Sequence, residues 1–231
     1  GPARRLARTG FTRRSHALAR ARLCFGRKAP VCRLSEVCPV FNTRPRIEAL
    51  ALPGGGTALV VDDALGVPDR WRGMAQRTAA AFRPDPLAGY PVQRLPLPGP
   101  LVAPFGVFFT EFLRGRFGYR RVLDAQAWLA LSTGAPVAPV RASTTVAGQG
   151  IVLAELFLSD DPAMGGLVFP TAPLLDDDDA VRVPAKFNRL VVFDGACWHA
   201  PDITDPGRLS GDPATGRLVV EARFTCRRRA S

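Results

Sequence analysis

The fold is decided by residues 188–201, which read NRLVVFDGACWHAP. Leu190 to Phe193 are apolar and largely β-branched, and they lie between Arg189 and the pair Asp194-Gly195, so they predict a short buried strand. Trp198 and His199 then begin the next strand. A histidine at this point is either a rigidly held metal ligand or a ring hydrogen-bonded at a strand end. The residues alone leave both interpretations open.

Other apolar runs, bounded by glycine and proline, predict further strands. They cover residues 46–52, 57–63, 121–131, 151–158, 167–169 and 217–225. In the last of them, Leu218, Val220, Ala222 and Phe224 share one face, and Arg217 and Arg223 lie on the other.

Two amphipathic helices are predicted before most of these strands. One runs from Pro68 to Phe82 and the other from about Phe105 to Arg116, with a proline-rich loop from Pro84 to Pro104 between them. Helices followed by short antiparallel strands predict an α+β fold of the jelly-roll type, with two N-terminal flanking helices.

The positive charge is concentrated at the start of the chain. Residues 1–39 contain ten basic side chains and one acid, out of a formal net charge of +11 for the whole chain. Such a segment is an organelle-targeting sequence, a nucleic-acid-binding arm or a disordered extension. We therefore divide the chain into a basic tail, 1–39, predicted to be disordered, and a domain, 40–231. Nucleic-acid binding is expected, if anywhere, only through the tail.

Two features predict the compartment. The longest apolar run is shorter than the ~20 residues of a membrane span, which predicts a soluble protein that does not bind membranes. Five cysteines, an odd number, without a secretory signal predict reduced thiols in a cytoplasm.

Several short motifs, in order, resemble the 2-oxoglutarate/Fe(II) oxygenase superfamily, and within it a bacterial branch of single-domain proteins. They are FNTRPR at 41–46, VVDD at 60–63, FRPDP at 82–86 with YP at 90–91, LSDDPAMGG at 158–166, the stretch 188–199, and LSGDP at 209–213 leading into GRL at 216–218. The resemblance runs from about Val40 to the C-terminus. It implies a double-stranded β-helix, with Fe(II) and 2-oxoglutarate as cofactors.

The resemblance also implies roles for individual residues. His199 matches the distal histidine of the iron site. Arg217 matches the arginine that grips the C5 carboxylate of 2-oxoglutarate, because a planar guanidinium offers a carboxylate two parallel donors. Arg223, on the same strand face, is a second candidate contact with an anion.

The other half of the iron site is missing from this sequence. The family's His-x-Asp is expected before the strand at 151–158, where residues 141–149 read RASTTVAGQ and contain neither histidine nor carboxylate. The only other histidine, His16, lies in the tail. One imidazole alone binds Fe(II) weakly.

The sequence therefore predicts an oxygenase-like protein with a degenerate iron site. If it is active, it hydroxylates an unknown substrate while 2-oxoglutarate is decarboxylated. The alternative is a non-catalytic module that binds an acidic small molecule or a protein partner. We expect Glu221, on the same face as Arg217, to offset the charge of that arginine.

Overall fold

A computed structural model describes residues 41–144 and 146–228, so the predicted tail, 1–39, lies outside the described residues. Antiparallel β structure dominates. The strands are β1 (Ile47–Ala51), β2 (Thr57–Val61), β3 (Arg83–Pro84), β4 (Val92–Pro96), β5 (Tyr119–Ser132), β6 (Gln149–Phe157), β7 (Leu167–Phe169), β8 (Val181–Val183), β9 (Leu190–Asp194), β10 (Ala200–Pro201) and β11 (Leu218–Arg228). Eight of them form one sheet in the order β1-β2-β9-β6-β11-β5-β4-β3, and three form a second sheet in the order β10-β7-β8.

Two helices cover the outer face of the larger sheet. Helix α1 is Asp69–Arg77, and α2 is Gly99–Phe108, which continues through a π-helical turn, Phe109–Leu113, and a 3-10 turn, Arg114–Phe117. Their apolar side chains pack on alternate residues of β5, β6 and β11 in one core cluster. Phe109 stacks on Phe224 of β11 with ring centroids 4.3 Å apart.

A second core lies between the two sheets. Phe169 of β7 contacts Phe193 of β9 edge to face, with centroids 5.0 Å apart. Val219, the neighbour of Leu218 on β11, faces this inner core, while Leu218 faces the helices. The predicted alternation of the last strand is therefore confirmed, and the inner face of β11 is the one that carries Glu221 and Arg223.

Asn188 fixes the start of β9. It is buried, with φ of 62°, a left-handed conformation that asparagine tolerates better than most residues. Its side chain accepts a hydrogen bond from the Leu65 amide at 2.9 Å and donates one to the Leu65 carbonyl at 2.8 Å. The loop after β2 is thereby tied to the strand that precedes His199.

Two of the sequence predictions need correction. The region from Pro84 to Pro104 is not one loop, since it contains β4 and the first turns of α2. β4 pairs with β5 in the larger sheet. The helices do not precede the strands, because four strands are interleaved with them before β5. What holds is a mostly antiparallel β fold with few helices. No helix in the described part of the chain is long and apolar enough to cross a membrane.

Candidate functional site: a cavity between the two sheets

A cavity of about 500 Å³ opens on the inner face of the larger sheet, next to the smaller one. Strands β4, β5, β6 and β11 provide its floor, and its rim is formed by the segments 87–90 and 140–143 and by the exposed Arg223 of β11. The polar and aromatic side chains that line it are Tyr90, Arg94, Trp128, Arg141, Ser143, Glu155, Phe193, His199, Glu221 and Arg223.

His199 is held rigidly at one side of this cavity. Its backbone forms an isolated antiparallel bridge with Val140, with N···O distances of 2.8 and 2.9 Å. Nδ1 lies 3.0 Å from the Cys197 carbonyl oxygen, which can only accept, so the neutral ring carries its hydrogen on Nδ1. Burial lowers the pKa of His199 to about 4. The imidazole is therefore neutral at pH 7, with the lone pair on Nε2.

The segment in which the family's His-x-Asp was expected does lie beside His199. It contributes Val140, Arg141, Ala142 and Ser143 to the cavity rim. The guanidinium of Arg141 lies 4.5 Å from the centre of the Trp198 ring, a cation–π contact. The segment that pairs with His199 thus brings aliphatic groups, a hydroxyl and a cation to the cavity, and residues 140–143 contain no carboxylate or second imidazole.

These residues do not fit an Fe(II) ion. A facial iron site needs two imidazoles and a carboxylate around one point. Within residues 41–144 and 146–228, no group of three or more histidine, cysteine, aspartate or glutamate side chains is arranged to hold a metal. Arg141 would in addition repel a cation. The assignment of His199 as a metal ligand stays a prediction.

Arg217 is not part of the cavity lining; it lies on the inner face of the larger sheet, next to Glu155, and is completely buried. Nη2 donates to Glu155 Oε2 at 3.2 Å and to the Gly166 carbonyl at 2.9 Å, and Nη1 donates to Ser132 Oγ at 3.2 Å. A 2-oxoglutarate carboxylate would have to displace these partners, so the guanidinium as placed does not fit that cofactor. Its role in binding 2-oxoglutarate also stays a prediction.

The expected partner of Arg217 was wrong. Glu155 on β6, rather than Glu221, offsets its charge, while Glu221 pairs with Arg94 of β4 at 2.5 Å. The two glutamates are directly opposite each other on β6 and β11. Tyr90 donates a hydrogen bond to Glu221.

This pair of carboxylates forms a buried polar floor. Burial raises the pKa of Glu155 to about 7, although Arg217 opposes the shift, and the charge of Glu221 raises it further. Burial, with the charges of Glu221 and Glu155, also raises the pKa of Tyr90 well above its usual value. Each glutamate has its own arginine, so the floor is close to neutral.

The rim, by contrast, carries unpaired positive charge. Arg141 and Arg223 are exposed, and among the described residues no carboxylate forms an ion pair with either. Sequence analysis selected Arg223 and named Glu221, with Arg217 as its partner, but missed the roles of Arg141, Arg94 and Glu155. One signal was available: Glu155 is the only charged residue in an otherwise apolar strand, residues 151–158.

Comparison with solved structures shows which proteins share this fold. A prolyl hydroxylase from Trichoplax adhaerens, in complex with a hypoxia inducible factor oxygen degradation domain peptide fragment, has a TM-score of 0.51 at 13% identity, over 74% of this chain and 83% of that chain. HygX from Streptomyces hygroscopicus, with nickel and 2-oxoglutarate bound, has a TM-score of 0.49 at 13% identity, over 74% and 82%.

A prolyl-4-hydroxylase from Pseudomonas putida has a TM-score of 0.46 at 18% identity, over 80% of this chain and 93% of that chain. At such identities the likeness shows the fold alone. The fold is shared with the Trichoplax adhaerens prolyl hydroxylase, and the activity and cofactors that the sequence motifs imply stay predictions.

Comparison of sequences gives the family. No curated protein sequence matches the chain. A family described as "Family of unknown function (DUF6445)" matches residues 43–172 and 178–224, which together are most of the domain. The chain therefore belongs to this family.

Proposed function

We propose that this protein binds an anionic ligand in the cavity between its sheets and has no iron-dependent oxygenase activity. The observation that carries the proposal is Arg141, a cation on the segment that faces His199. In an oxygenase of this superfamily, that segment would supply the anionic ligand of the metal. Here a guanidinium makes the same region attractive to an anion and repulsive to Fe(II).

The remaining lining is suited to hold the anion. Arg223 supplies a second unpaired guanidinium at the rim, and both arginines can donate two parallel hydrogen bonds to a carboxylate. The neutral His199 and the paired glutamates add no net charge below it. A ligand with one carboxylate at the rim and a polar body on the floor matches this distribution. We further propose that the two sheets form a double-stranded β-helix.

The rival function is the hydroxylation that the resemblance implies, with Fe(II) and 2-oxoglutarate. His199 and the fold favour it, and the residues beside His199 oppose it. Anaerobic loading with Fe(II), followed by desalting and elemental analysis, should leave far less than one iron per chain, and 2-oxoglutarate should not be consumed. One retained iron per chain that is lost in His199→Ala would favour the oxygenase.

Calorimetric titration tests anion binding itself. With a chelator present, 2-oxoglutarate or succinate should bind the wild type, and Arg141→Gln/Arg223→Gln should weaken binding by at least about tenfold, or ~1.4 kcal/mol. The matched control is Arg77→Gln/Arg116→Gln, which removes the same charge from exposed positions on the helical side of the larger sheet. Equal affinity in the two double variants, or no binding at millimolar concentration, would contradict the proposal.

A further inference from the structure

Arginines continue from the cavity rim along the inner face of the larger sheet. Side chains alternate along a strand, so Glu221, Arg223 and Arg227 of β11 lie on one face. Arg227 is directly opposite Arg121 of β5, and residues opposite each other in a ladder share a face. We call Arg121, Arg223 and Arg227 the arginine strip. It begins at the cavity, because Glu221 and Arg223 line it.

The strip is exposed and not neutralised. All three arginines are exposed, and no carboxylate in the described part of the chain forms an ion pair with them. Asp124 lies on the same face, opposite Thr225, where its carboxylate accepts a hydrogen bond from Gln126 at 3.0 Å. The inner core between the sheets includes Val219 and no later residue of β11. The smaller sheet therefore leaves the strip open.

We propose that an acidic polypeptide segment binds in an extended conformation along the arginine strip, with one of its carboxylates in the cavity. The inference rests on the proposed anion-binding function and names the class of ligand. Arg223 and Arg227 are four residues apart on one strand, roughly 13 Å at ~3.3 Å per residue. An extended peptide has the same rise, so acidic side chains on its facing positions meet both arginines.

Two observations favour a peptide over a nucleic acid. Single-stranded nucleic acids need aromatic rings on which bases stack. Trp128 lies on the adjacent part of the floor, and the Arg94 guanidinium lies over its ring, 5.5 Å from the ring centre. That face of the ring is therefore already occupied and is not open to a base. Asp124 would repel a continuous phosphate backbone at the middle of the strip, whereas a peptide can place a neutral residue there.

Leu87, 93% exposed, adds an apolar contact at the rim of the cavity. A polypeptide offers apolar side chains next to acidic ones, which a phosphate backbone does not. The strip, the cavity and Leu87 together thus match an acidic segment that also carries apolar residues.

Fluorescence anisotropy on the full chain tests the proposal. The probes are a labelled ten-residue peptide with glutamate at every fourth position and serine elsewhere, the same peptide with glutamine for glutamate, and a labelled ten-nucleotide thymidine strand. Arg121→Gln/Arg227→Gln removes the outer strip and leaves the cavity residues in place. Arg77→Gln/Arg116→Gln is the control with the same net charge, so any binding by the basic segment 1–39 affects both variants alike.

The strip variant should bind the acidic peptide roughly two- to thirtyfold more weakly than the control, because two exposed ion pairs are lost. Its affinity for 2-oxoglutarate should equal that of the control, and the glutamine peptide should bind neither. Equal peptide affinity in the two variants overturns the inference and leaves small-anion binding intact. Tighter, strip-dependent binding of the thymidine strand overturns it in favour of a nucleic acid. Failure with both peptide and small anions overturns the proposed function as well.

Discussion

At the scale of single residues, Arg217 forms an ion pair with Glu155 of β6. It is fully buried, and Glu155 depends on it for charge compensation. Arg217→Met should lower the free energy of unfolding by about 3–5 kcal/mol, because it leaves a buried carboxylate unpaired. Urea unfolding at pH 8 measures this change.

Two further variants control that measurement. Arg223→Met, at an exposed position, should change the free energy of unfolding by less than about 0.5 kcal/mol. Arg217→Met combined with Glu155→Gln should recover part of the lost stability, since no unpaired charge remains. A single Arg217→Met variant as stable as the wild type would show that the buried pair is not formed.

Glu155 and His199 have opposite effects on the pH dependence of stability. Burial raises the pKa of Glu155 from 4.5 to about 7. The contribution of this group to the free energy of unfolding is therefore complete below pH ~4.5 and is lost as the pH rises through about 7. Burial lowers the pKa of His199 from 6.5 to about 4, so its contribution is present above pH ~6.5 and is lost as the pH falls through about 4. Between pH ~4.5 and ~6.5, a rise in pH removes the contribution of Glu155 and adds that of His199, so the two effects on the free energy of unfolding oppose each other.

Variants separate the two effects. Between pH ~4.5 and ~6.5, the free energy of unfolding of Glu155→Gln should rise more steeply with pH than that of the wild type. The reason is that the opposing effect of Glu155 is gone and the effect of His199 remains. In His199→Phe it should instead fall relative to the wild type. Urea unfolding at several pH values in this window gives both slopes. Slopes identical to that of the wild type would mean that neither group is buried as described.

At the scale of elements, the start of β9 depends on Asn188. Asn188→Ala removes both side-chain hydrogen bonds to Leu65 and places alanine at a positive φ, so we expect a loss of about 2–4 kcal/mol. Asn188→Gly keeps the backbone conformation available and should lose less. Thermal and urea unfolding of the two variants give the comparison, and equal losses would show that the backbone conformation contributes nothing.

The sequence predicted elements well where one face is apolar. β9 and the alternation of β11 follow from hydrophobic periodicity, and both are confirmed. β4 was missed because its strand pattern is short and lies among prolines, so its place in the sheet comes from pairing with β5 rather than from local preference.

The site was predictable only in part, for a physical reason. His199, Arg217 and Arg223 could be chosen from the sequence, and the structure places two of the three, His199 and Arg223, in the cavity lining. The ion-pair partners could not be chosen from the sequence. Glu155 is 62 residues from Arg217 along the chain, and Arg94 reaches Glu221 only through the register of β4 with β5 and of β5 with β11. A shift of one residue would turn every one of these side chains to the other face.

At the scale of the whole molecule, the domain is expected to fold without the basic tail. Removal of residues 1–39 keeps Phe41, whose ring stacks on Phe108 at 4.5 Å. The melting temperature should then change by no more than about 2 °C. A loss of several degrees in differential scanning calorimetry would show that the tail contributes to the stability of the domain.

The central claim is that the cavity binds an anion without a metal. Its most direct test is one calorimetric comparison: 2-oxoglutarate titrated anaerobically into the wild type, with excess Fe(II) in one cell and excess chelator in the other. Our account predicts the same dissociation constant in both, because Arg141 and Arg223 provide the contacts. Binding that appears only with Fe(II), or tightens about tenfold with it, would contradict the account.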